Sequence, residues 1–510
     1  MLCKTVSAFV KGIEAIPIVI ETDVSTGLPA YNVVGQPDNS IKESRERIRL
    51  ALHHSGYQYP KGRITINMSP AKLRKSGSHF DLAIAVGILA ASGQIFQPDL
   101  EEFCFLGELS LDGTINRISG ILPMVMAAQK MGRECIVVPK GNEEEALLVP
   151  GVKVFTVRHL TELVQHLDGS LPISFQDGGR SLAKYGLPFF RQDFTEVHGQ
   201  ESAKRAIMTA VAGGHGLLMM GSPSTGKTML AERIPTVMPE MTRDEILETT
   251  KIYSISGLLT EREPVVCRRP FRRPHHKLTM TGLLGGGAYP MPGEITLANK
   301  GVLFLDELGE FDYKVMEGLR IPLEKKEITL LRSSGQYVFP ADFLLVAASN
   351  PCPCGYLGDP GQVCKCSAIE ILRYQRKFSG PIMDRIDMHI HLLPVSYNAL
   401  KQRDVLSSAQ MREKIETARK RQRERYREEG FSLNCQLEEK HLEIYAPMDE
   451  AGEQLLEMAY EKMHLNPRTI LKVRKMARTI ADLEDSAKIT QAHVAEALQY
   501  RERIYGRQSM

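Results

Sequence analysis

The chain has 510 residues, with 64 lysines and arginines against 61 aspartates and glutamates, so its formal net charge is only +3. This balance excludes nucleic-acid binding through overall charge and requires local basic clusters for any such binding. The longest apolar run, Leu82 to Gly93, is too short to span a bilayer. Nine cysteines and no signal peptide predict a reduced, cytoplasmic protein, and the length predicts about three domains.

Residues 1–169 alternate β-like runs (IPIVIETDV, RITINMS, ECIVVP) with helical patterns such as Ser40 to Ser55. They contain no phosphate-binding loop, and the pattern predicts an α+β domain. The block resembles the ribosomal-S5-like fold of the Lon protease domain, which raises the question of a Ser-Lys peptidase.

Two departures argue against peptidase activity. Peptidase relatives carry Gly-Pro-Ser-Ala-Gly where this chain has GSHFD, so His79 stands in the nucleophile's place. The Lys-Glu-Lys stretch that supplies the base falls on Leu122 to Met124. Without a nucleophile beside a base, no hydroxyl is activated. We expect a catalytically inactive domain, the alternative being Ser78 with a distant lysine.

Residues 170–192 shift to Gly, Ser, Pro and isolated charges, which predicts an exposed linker. A second unit begins at Asp193. There, Phe194 to Gln200 (FTEVHGQ) precedes a predicted helix from Glu201 to Ala212.

The segment His215 to Thr228, HGLLMMGSPSTGKT, predicts a buried strand that breaks into a phosphate-binding loop. Glycines let backbone N–H groups converge on phosphate oxygens, a lysine neutralises β/γ charge, and a hydroxyl ligates Mg²⁺. The following helix directs its positive end at the same anion. The predicted nucleotide-binding residues are Gly221, Ser222, Pro223, Ser224, Thr225, Gly226, Lys227 and Thr228.

Two more apolar strands end in polar residues. GVLFLDEL ends in Asp306 and Glu307, and FLLVAASN ends in Asn350. A buried Asp-Glu pair is costly unless a cation lies there. We expect Asp306 to bind Mg²⁺ with Thr228, and Glu307 to orient water. Three such strands predict an open α/β site for ATP.

Between Lys227 and Asp306 lies a basic cluster followed by Gly285 to Gly287. Basic residues beside a flexible run suit a phosphate backbone, and a solvated charged loop is the alternative. Lys325 to Phe339 predicts a hairpin around Ser333 to Gln336. The candidate DNA contacts in the basic cluster are Arg272, Arg273, His275, His276 and Lys277.

Two CxC pairs lie close together in the sequence: Cys352 with Cys354, and Cys364 with Cys366. Four thiols on one loop favour a Zn²⁺ knuckle over disulfides in a reducing compartment. Reduced, unliganded cysteines are the alternative.

The C-terminal part reads as helices. The first, charged throughout, is interpreted as a solvated helix or linker rather than a DNA-binding stripe. The predicted ranges are 408–429, 449–462, 467–483 and 490–505.

Four segments resemble the magnesium-chelatase-like AAA+ family. They are FRRPHH (Phe271 to His276), GGGAYPMPGEITLANKGVLFLDEL (Gly285 to Leu308), SNPCPCGY (Ser349 to Tyr356) and SGPIMDRIDMHI (Ser379 to Ile390). The resemblance implies an inactive Lon-like domain (1–169), a linker (170–192), a P-loop ATPase core of α/β fold (193–395) and a helical lid (396–510).

The resemblance also implies residue roles. Val197, His198 and Gly199 would form the base pocket, and Asn350 would sense the γ-phosphate. Arg385, in the DRID segment, would reach the neighbouring subunit's γ-phosphate, which requires an oligomer. Arg468 would be the second sensor, with Arg474 and Arg478 as competing candidates.

At the level of function the resemblance implies an ATP-dependent hexameric DNA helicase or translocase. The insert containing the basic cluster and the hairpin would face its pore. The hairpin's candidate DNA contacts would be Lys325, Lys326 and Arg332, and a purely structural hairpin with solvated lysines is the alternative. The implied work is branch migration in homologous recombination of transforming DNA, on single-stranded or branched DNA and without a membrane partner. The alternatives are a protein remodeller with the N-terminal domain as adaptor, and a metal-insertion subunit acting on a porphyrin.

Overall fold

A computed structural model describes residues 2–96, 99–185, 190–333, 335–377, 382–397, 399 and 405–501. Ser334 of the predicted hairpin lies outside these ranges. So do 186–189 of the predicted linker, 379–381 of the SGPIMDRIDMHI segment and 502–505 of the last predicted helix. No helix in the described ranges is long and apolar enough to cross a membrane.

The N-terminal region is a mixed α/β unit. Its elements are β1 (Leu2–Lys11), β2 (Glu14–Ser25), β3 (Ala30–Val34), α1 (Asn39–His54), β4 (Arg63–Ser69), α2 (Asp81–Ala91), β5 (Phe103–Phe105), β6 (Glu108–Leu109), β7 (Ile115–Asn116), α3 (Ile121–Lys130), β8 (Cys135–Pro139), α4 (Glu143–Ala146), β9 (Lys153–Val157), α5 (Leu160–Leu167) and β10 (Gln176–Asp177).

One sheet organises this unit, in the order β10-β9-β8-β5-β1-β2-β4-β3 with parallel and antiparallel pairs. Helix α2, which contains most of the chain's longest apolar run, is buried along its whole length against β1 and β2. Gly87 permits this contact, because a Cβ there would lie 2.7 Å from Thr22 Oγ1. The run is therefore a core helix of a globular unit.

The segment predicted as a linker is exposed, but part of it is bound to the first unit. Strand β10 pairs with β9 at the sheet edge. Arg180 and Lys184 form ion pairs with Glu144 at 2.7 and 2.9 Å. These contacts attach the segment to the N-terminal sheet up to residue 185.

The central region contains α6 (Glu201–Gly213), β11 (Leu217–Gly221), α7 (Lys227–Val237), α8 (Arg243–Ile255), β12 (Phe271–Arg272), α9 (Met280–Leu284), β13 (Gly285–Gly286), β14 (Met291–Pro292), α10 (Glu294–Leu297), β15 (Val302–Leu305), α11 (Tyr313–Gly318), α12 (Arg320–Lys325), β16 (Glu327–Arg332), β17 (Gly335–Pro340), β18 (Leu344–Ser349), α13 (Ala368–Arg376) and β19 (Met388–Leu392).

Its main sheet is parallel, in the order β12-β15-β18-β11-β19. Both faces are covered: Leu217 and Met219 lie in one hydrophobic cluster, Leu218 and Met220 in another. Strands β12, β15 and β18 lie on one side of β11, and β19 lies on the other. The carboxyl end of β11 is therefore a topological switch point, where ligands bind in open α/β sheets.

The C-terminal region is helical: α14 (Ser408–Arg425), α15 (Glu439–Tyr445), α16 (Glu450–Lys462), α17 (Pro467–Leu483) and α18 (Gln491–Gln499). Its apolar residues share one core cluster with α6, α7 and β11.

The first of these helices is not a linker, and it is solvated on one face only. Helix α14 packs on α6 and α7. Arg412 donates to the Thr236 carbonyl at 2.7 Å, and Arg419 to the Val211 carbonyl at 2.7 Å. Burial lowers the pKa of Arg419 to about 10. Arginine side chains thus hold this helix against the core.

The predicted mixed α/β class with a parallel sheet and many helices is confirmed. The predicted hairpin is also present, as the antiparallel pair β16–β17. The N-terminal unit contacts this hairpin, because the Lys11 ammonium lies 5.9 Å from the centre of the Tyr337 ring.

Candidate nucleotide site

The phosphate loop runs from the end of β11 to the start of α7. Gly221 is required there because a Cβ would lie 2.6 Å from the Leu392 carbonyl oxygen. Gly226 has a φ of 87°, a left-handed conformation that glycine adopts without strain. The Lys227 ammonium donates to the carbonyls of Gly221 at 2.7 Å and Ser222 at 2.9 Å. The loop therefore encloses this cation.

The ends of the three predicted strands converge on that lysine. Lys227 also donates to Asn350 Oδ1 at 3.2 Å, and Thr228 donates to Asp306 Oδ2 at 3.1 Å. Burial lowers the pKa of Lys227, and the charge of Asp306 opposes that effect. The sequence-predicted phosphate, metal and sensor positions thus lie together at the switch point.

The donor set fits Mg²⁺. Neighbouring ligands of an octahedral ion bound at 2.0–2.1 Å are about 2.9 Å apart. The Thr228 and Asp306 oxygens, at 3.1 Å, are close to that separation. These two residues would hold the ion, which would supply positive charge to neutralise phosphate oxygens.

Glu307 lies at the edge of the same site with a left-handed backbone (φ 53°, ψ 48°). Its side chain is mostly exposed, and its carboxylate lies 3.6 Å from His276 Nδ1. A left-handed conformation costs an ordinary residue about 1–2 kcal/mol. A cavity of about 400 Å³ opens beside it, lined by Glu307, Glu310, Asn350, Pro353, Glu370, Arg373, Tyr374 and Lys377.

The predicted base-pocket residues lie next to the phosphate loop. Val197 is buried, His198 is partly exposed, and Gly199 has a φ of 66°. The next residue, Gln200, joins them to the loop by donating to the carbonyls of Thr225 at 3.3 Å and Leu393 at 2.8 Å. The sequence prediction did not include Gln200. The signal that could have indicated it is its position directly after Gly199 in the FTEVHGQ segment.

The two predicted sensor and finger arginines lie away from these contacts. Arg385 forms an ion pair with Glu324 at the end of α12, and Arg468 is exposed in the first turn of α17. Of the competing candidates, Arg474 pairs with Glu453 at 3.2 Å. Arg478 is buried within the lid and pairs with Asp482 at 3.0 Å, so it is unsuited to contact a nucleotide.

Four of the predicted DNA contacts have acidic partners within the chain, and their contact with DNA stays a prediction. Arg272 forms a two-bond ion pair with Glu294, with both distances 2.7 Å. Arg273 donates to Asp306 at 2.6 Å, inside the nucleotide site. The cluster divides because successive residues after a strand point to opposite faces.

Two other members also have acidic partners. His276 lies beside Glu307, as above, and Lys326 pairs with Asp342 at 3.4 Å. The remaining candidates have exposed side chains: His275, Lys277, Lys325 and Arg332. Arg332, at the tip of the hairpin, approaches the Gly287 carbonyl at 3.4 Å. Exposed cationic residues thus remain on the hairpin and beside the glycine run.

The four cysteines of the CxC pairs come together between Asn350 and α13. Their sulfur atoms all lie within 4.8 Å of one another. Cys352 Sγ is 3.4 Å from Cys354 Sγ and 3.7 Å from Cys364 Sγ, and the latter two are 3.6 Å apart. The Cys354 N–H points to Cys366 Sγ at 3.4 Å. Zinc thiolate bonds of 2.3 Å in a tetrahedron place sulfurs about 3.8 Å apart, so this cluster fits Zn²⁺.

In the N-terminal unit, the Ser78 hydroxyl donates to the Glu108 carboxylate. Lys75 is buried and donates to the carbonyls of Gly35 at 2.8 Å and Met68 at 2.9 Å. Burial lowers the pKa of His79 to about 4. Ser78 therefore faces an acid rather than an amine, and the expected inactivity of this domain stays a prediction.

A phosphate loop at the switch point of a parallel sheet, with an Asp-Glu strand, a polar strand tip and a helical lid, defines a P-loop ATPase of the AAA+ class. Family models agree along the chain. Residues 20–142 match "Subunit ChlI of Mg-chelatase", 193–400 match "Magnesium chelatase, subunit ChlI" and 406–501 match its C-terminal model.

Relatives that match nearly the whole chain identify a subgroup within this class. The competence protein ComM of Haemophilus influenzae is 41% identical over 497 residues, covering 96% of this chain and 95% of that protein. YifB of Escherichia coli is 38% identical over 493 residues, covering 96% and 95%. Lon protease 2 of Bacillus subtilis is 26% identical over 149 residues, covering 28% and 26%. The chain therefore belongs to the magnesium-chelatase-like AAA+ family, in the type that ComM and YifB represent.

Proposed function

We propose that the chain is an ATP-driven DNA motor that works as a hexameric ring and promotes branch migration during recombination of transforming DNA. The observation that carries the proposal is the position of the hairpin. Its exposed Arg332 adjoins the glycine run of the insert, which begins at the nucleotide site. The relative in H. influenzae is named a competence protein, which supports a role in the uptake or recombination of DNA.

The roles of the site residues follow from chemistry. Lys227 neutralises phosphate charge, Thr228 and Asp306 hold Mg²⁺, and Glu307 accepts a proton from the attacking water. Asn350, which contacts Lys227, lies where it can donate to a γ-phosphate.

The remaining roles involve more distant arginines. Arg385 acts on the neighbouring subunit's nucleotide, which explains why it lies at Glu324 rather than at its own phosphate loop. Arg468 is exposed at the start of α17 and closes over the nucleotide when the lid moves.

The DNA contacts in this proposal are the exposed cationic residues rather than the whole basic cluster. Lys325 is the last residue of α12, shortly before strand β16, and Arg332 is the last residue of β16. Lys277 precedes α9. Phosphate contacts of this kind give affinity without sequence preference.

A double substitution, Lys325→Ala with Arg332→Ala, tests this assignment. We expect weaker binding to duplexes of unrelated sequence, by similar factors. The dependence of log affinity on log salt should become shallower by roughly 0.9 for each lost contact. Stimulation of ATPase by DNA should fall, whereas basal ATPase should persist because neither residue contacts the phosphate loop. The control is Arg423→Ala, which removes an exposed arginine of α14 and should leave all of these quantities unchanged.

Protein remodelling is the second candidate, because the N-terminal unit contacts the hairpin at Tyr337 and would be suitably placed to deliver a polypeptide. Single-stranded, duplex and branched DNA distinguish the two functions. A wild-type protein that neither binds these DNAs with ATP nor is stimulated by them would contradict the motor and favour remodelling or metal insertion.

A further inference from the structure

The Arg273 guanidinium lies inside the nucleotide site, where the family's phosphate-loop chemistry gives it no role. Its Nη2 atom donates to Asp306 Oδ2 at 2.6 Å, and its Nη1 atom lies 3.5 Å from a Glu232 oxygen. The guanidinium carbon lies 5.7 Å from the centre of the Phe304 ring. Two carboxylates and an aromatic ring thus lie beside one arginine, whose side chain is 45% exposed.

Backbone pairing fixes this position. Strand β12 pairs in parallel with β15, with Phe271 opposite Val302 and Arg272 opposite Leu303. Continued by one residue, this register brings Arg273 beside Phe304, two residues before Asp306. Gly301 lets the strands approach, because a Cβ there would lie 2.0 Å from the Pro270 carbonyl oxygen.

Arg273 binds the same Asp306 oxygen, Oδ2, that would be a ligand of a metal ion. Asp306 Oδ2 accepts from Thr228 as well as from Arg273, and Oδ1 accepts from the Glu307 N–H at 3.0 Å. An oxygen whose lone pairs are occupied by N–H and O–H donors is a poor ligand for Mg²⁺. A positive charge within hydrogen-bond distance of that oxygen also repels the ion.

We propose that Arg273 is an internal counter-ion that competes with Mg²⁺ for Asp306, so that binding of the metal–nucleotide complex must displace its guanidinium. The inference rests on the nucleotide function proposed above and adds a regulatory contact to that site. The site is thereby held closed to the metal until Mg²⁺ and phosphate arrive together.

The test measures the Mg²⁺ dependence of nucleotide affinity, with a fluorescent ADP analogue titrated at a series of free Mg²⁺ concentrations. Arg273→Gln removes the charge from a partly exposed side chain. We expect it to lower the half-saturating Mg²⁺ concentration by about two- to fivefold, the size of a partly exposed ion pair. Arg273→Lys keeps the charge and should stay near the wild-type value.

Arg268→Gln is the matched control. It removes an arginine from the same segment, where the side chain pairs on the surface with Glu263 at 2.9 Å, and it should not change the Mg²⁺ dependence. An unchanged or higher Mg²⁺ requirement in Arg273→Gln would overturn the inference while leaving nucleotide binding intact. A wild-type protein that binds no nucleotide would overturn this inference and the proposed function together.

Discussion

Replacing a single thiol of the cysteine cluster tests whether the loop between Asn350 and α13 is a zinc knuckle. Cys364→Ser is the sharpest change, because Cys364 Sγ lies 3.7 and 3.6 Å from the sulfurs of Cys352 and Cys354. These separations are within about 0.2 Å of the edge of a tetrahedron built on 2.3 Å zinc–sulfur bonds. We expect wild-type protein purified without chelator to contain about one Zn²⁺ per chain, bound by four sulfurs.

The substitution removes one of four ligands from this closed site. Changes to outer-shell partners already reduce metal affinity by about 10–100-fold, so the loss of a ligand should exceed that range. Metal analysis after gel filtration should show little zinc in Cys364→Ser. X-ray absorption on the wild type should show zinc–sulfur distances near 2.3 Å.

Loss of zinc is also expected to affect nucleotide binding. Gly355, in the middle of the loop, packs so closely on the phosphate loop that a Cβ there would lie 2.7 Å from Pro223 Cδ. A loop without its metal should therefore weaken nucleotide binding. Cys267→Ser is the control, since this cysteine lies outside the cluster and its loss should leave zinc unchanged. Wild-type protein without zinc, or Cys364→Ser with a full zinc content, would refute the knuckle.

Two further predictions concern hydrolysis. Glu307→Gln should bind ATP with wild-type affinity but lose at least about 100-fold in turnover, because a general base is removed while the phosphate contacts remain; turnover near the wild-type rate would exclude Glu307 as the base. Arg385→Ala should lose about 1,000-fold in turnover and keep its nucleotide affinity. Mixing it with Lys227→Ala subunits should restore some activity, whereas failure at every mixing ratio would contradict action between subunits.

The sequence was sufficient to predict that the candidate nucleotide-site residues lie together, because its signals are local. Each contributing segment is an apolar strand followed at once by a polar residue, as at Asp306 and Asn350. Parallel strands bring their carboxyl ends to one edge of the sheet. The contacts of Lys227 and Thr228 with those two residues follow from that geometry.

The partners of charged residues could not be predicted in the same way. Arg272 pairs with Glu294, which is 22 positions later in the chain, and nothing local to either residue indicates the pairing. The packing of the charged helix α14 could not be predicted for the same reason, because Arg412 and Arg419 bind backbone carbonyls of helices that are distant in the sequence. A run of charges specifies composition but not the face on which each side chain lies.

Strand β1 contains buried polar residues, which make it difficult to predict from hydrophobic periodicity. Strand β1 was not singled out from the sequence, because Thr5 and Ser7 interrupt its apolar pattern. Both are fully buried, and Thr5 donates to the Ala83 carbonyl of α2 at 3.1 Å. A satisfied hydroxyl such as that of Thr5 is tolerated in a core, so hydrophobic periodicity underestimates strands that pack on a helix rich in alanine.

The segment between Arg273 and Gly287 connects the nucleotide site with the hairpin. At one end Arg273 contacts the metal-site carboxylate, and at the other the Gly287 carbonyl approaches Arg332 on the hairpin. The short helix α9 between them is anchored by the buried Leu283. Gly285 allows the close pairing that follows, since a Cβ there would lie 2.3 Å from the Met291 carbonyl oxygen. These two contacts lie at the ends of one short segment, so the proposed competition between Arg273 and Mg²⁺ for Asp306 takes place on the same stretch of chain that contacts the hairpin tip.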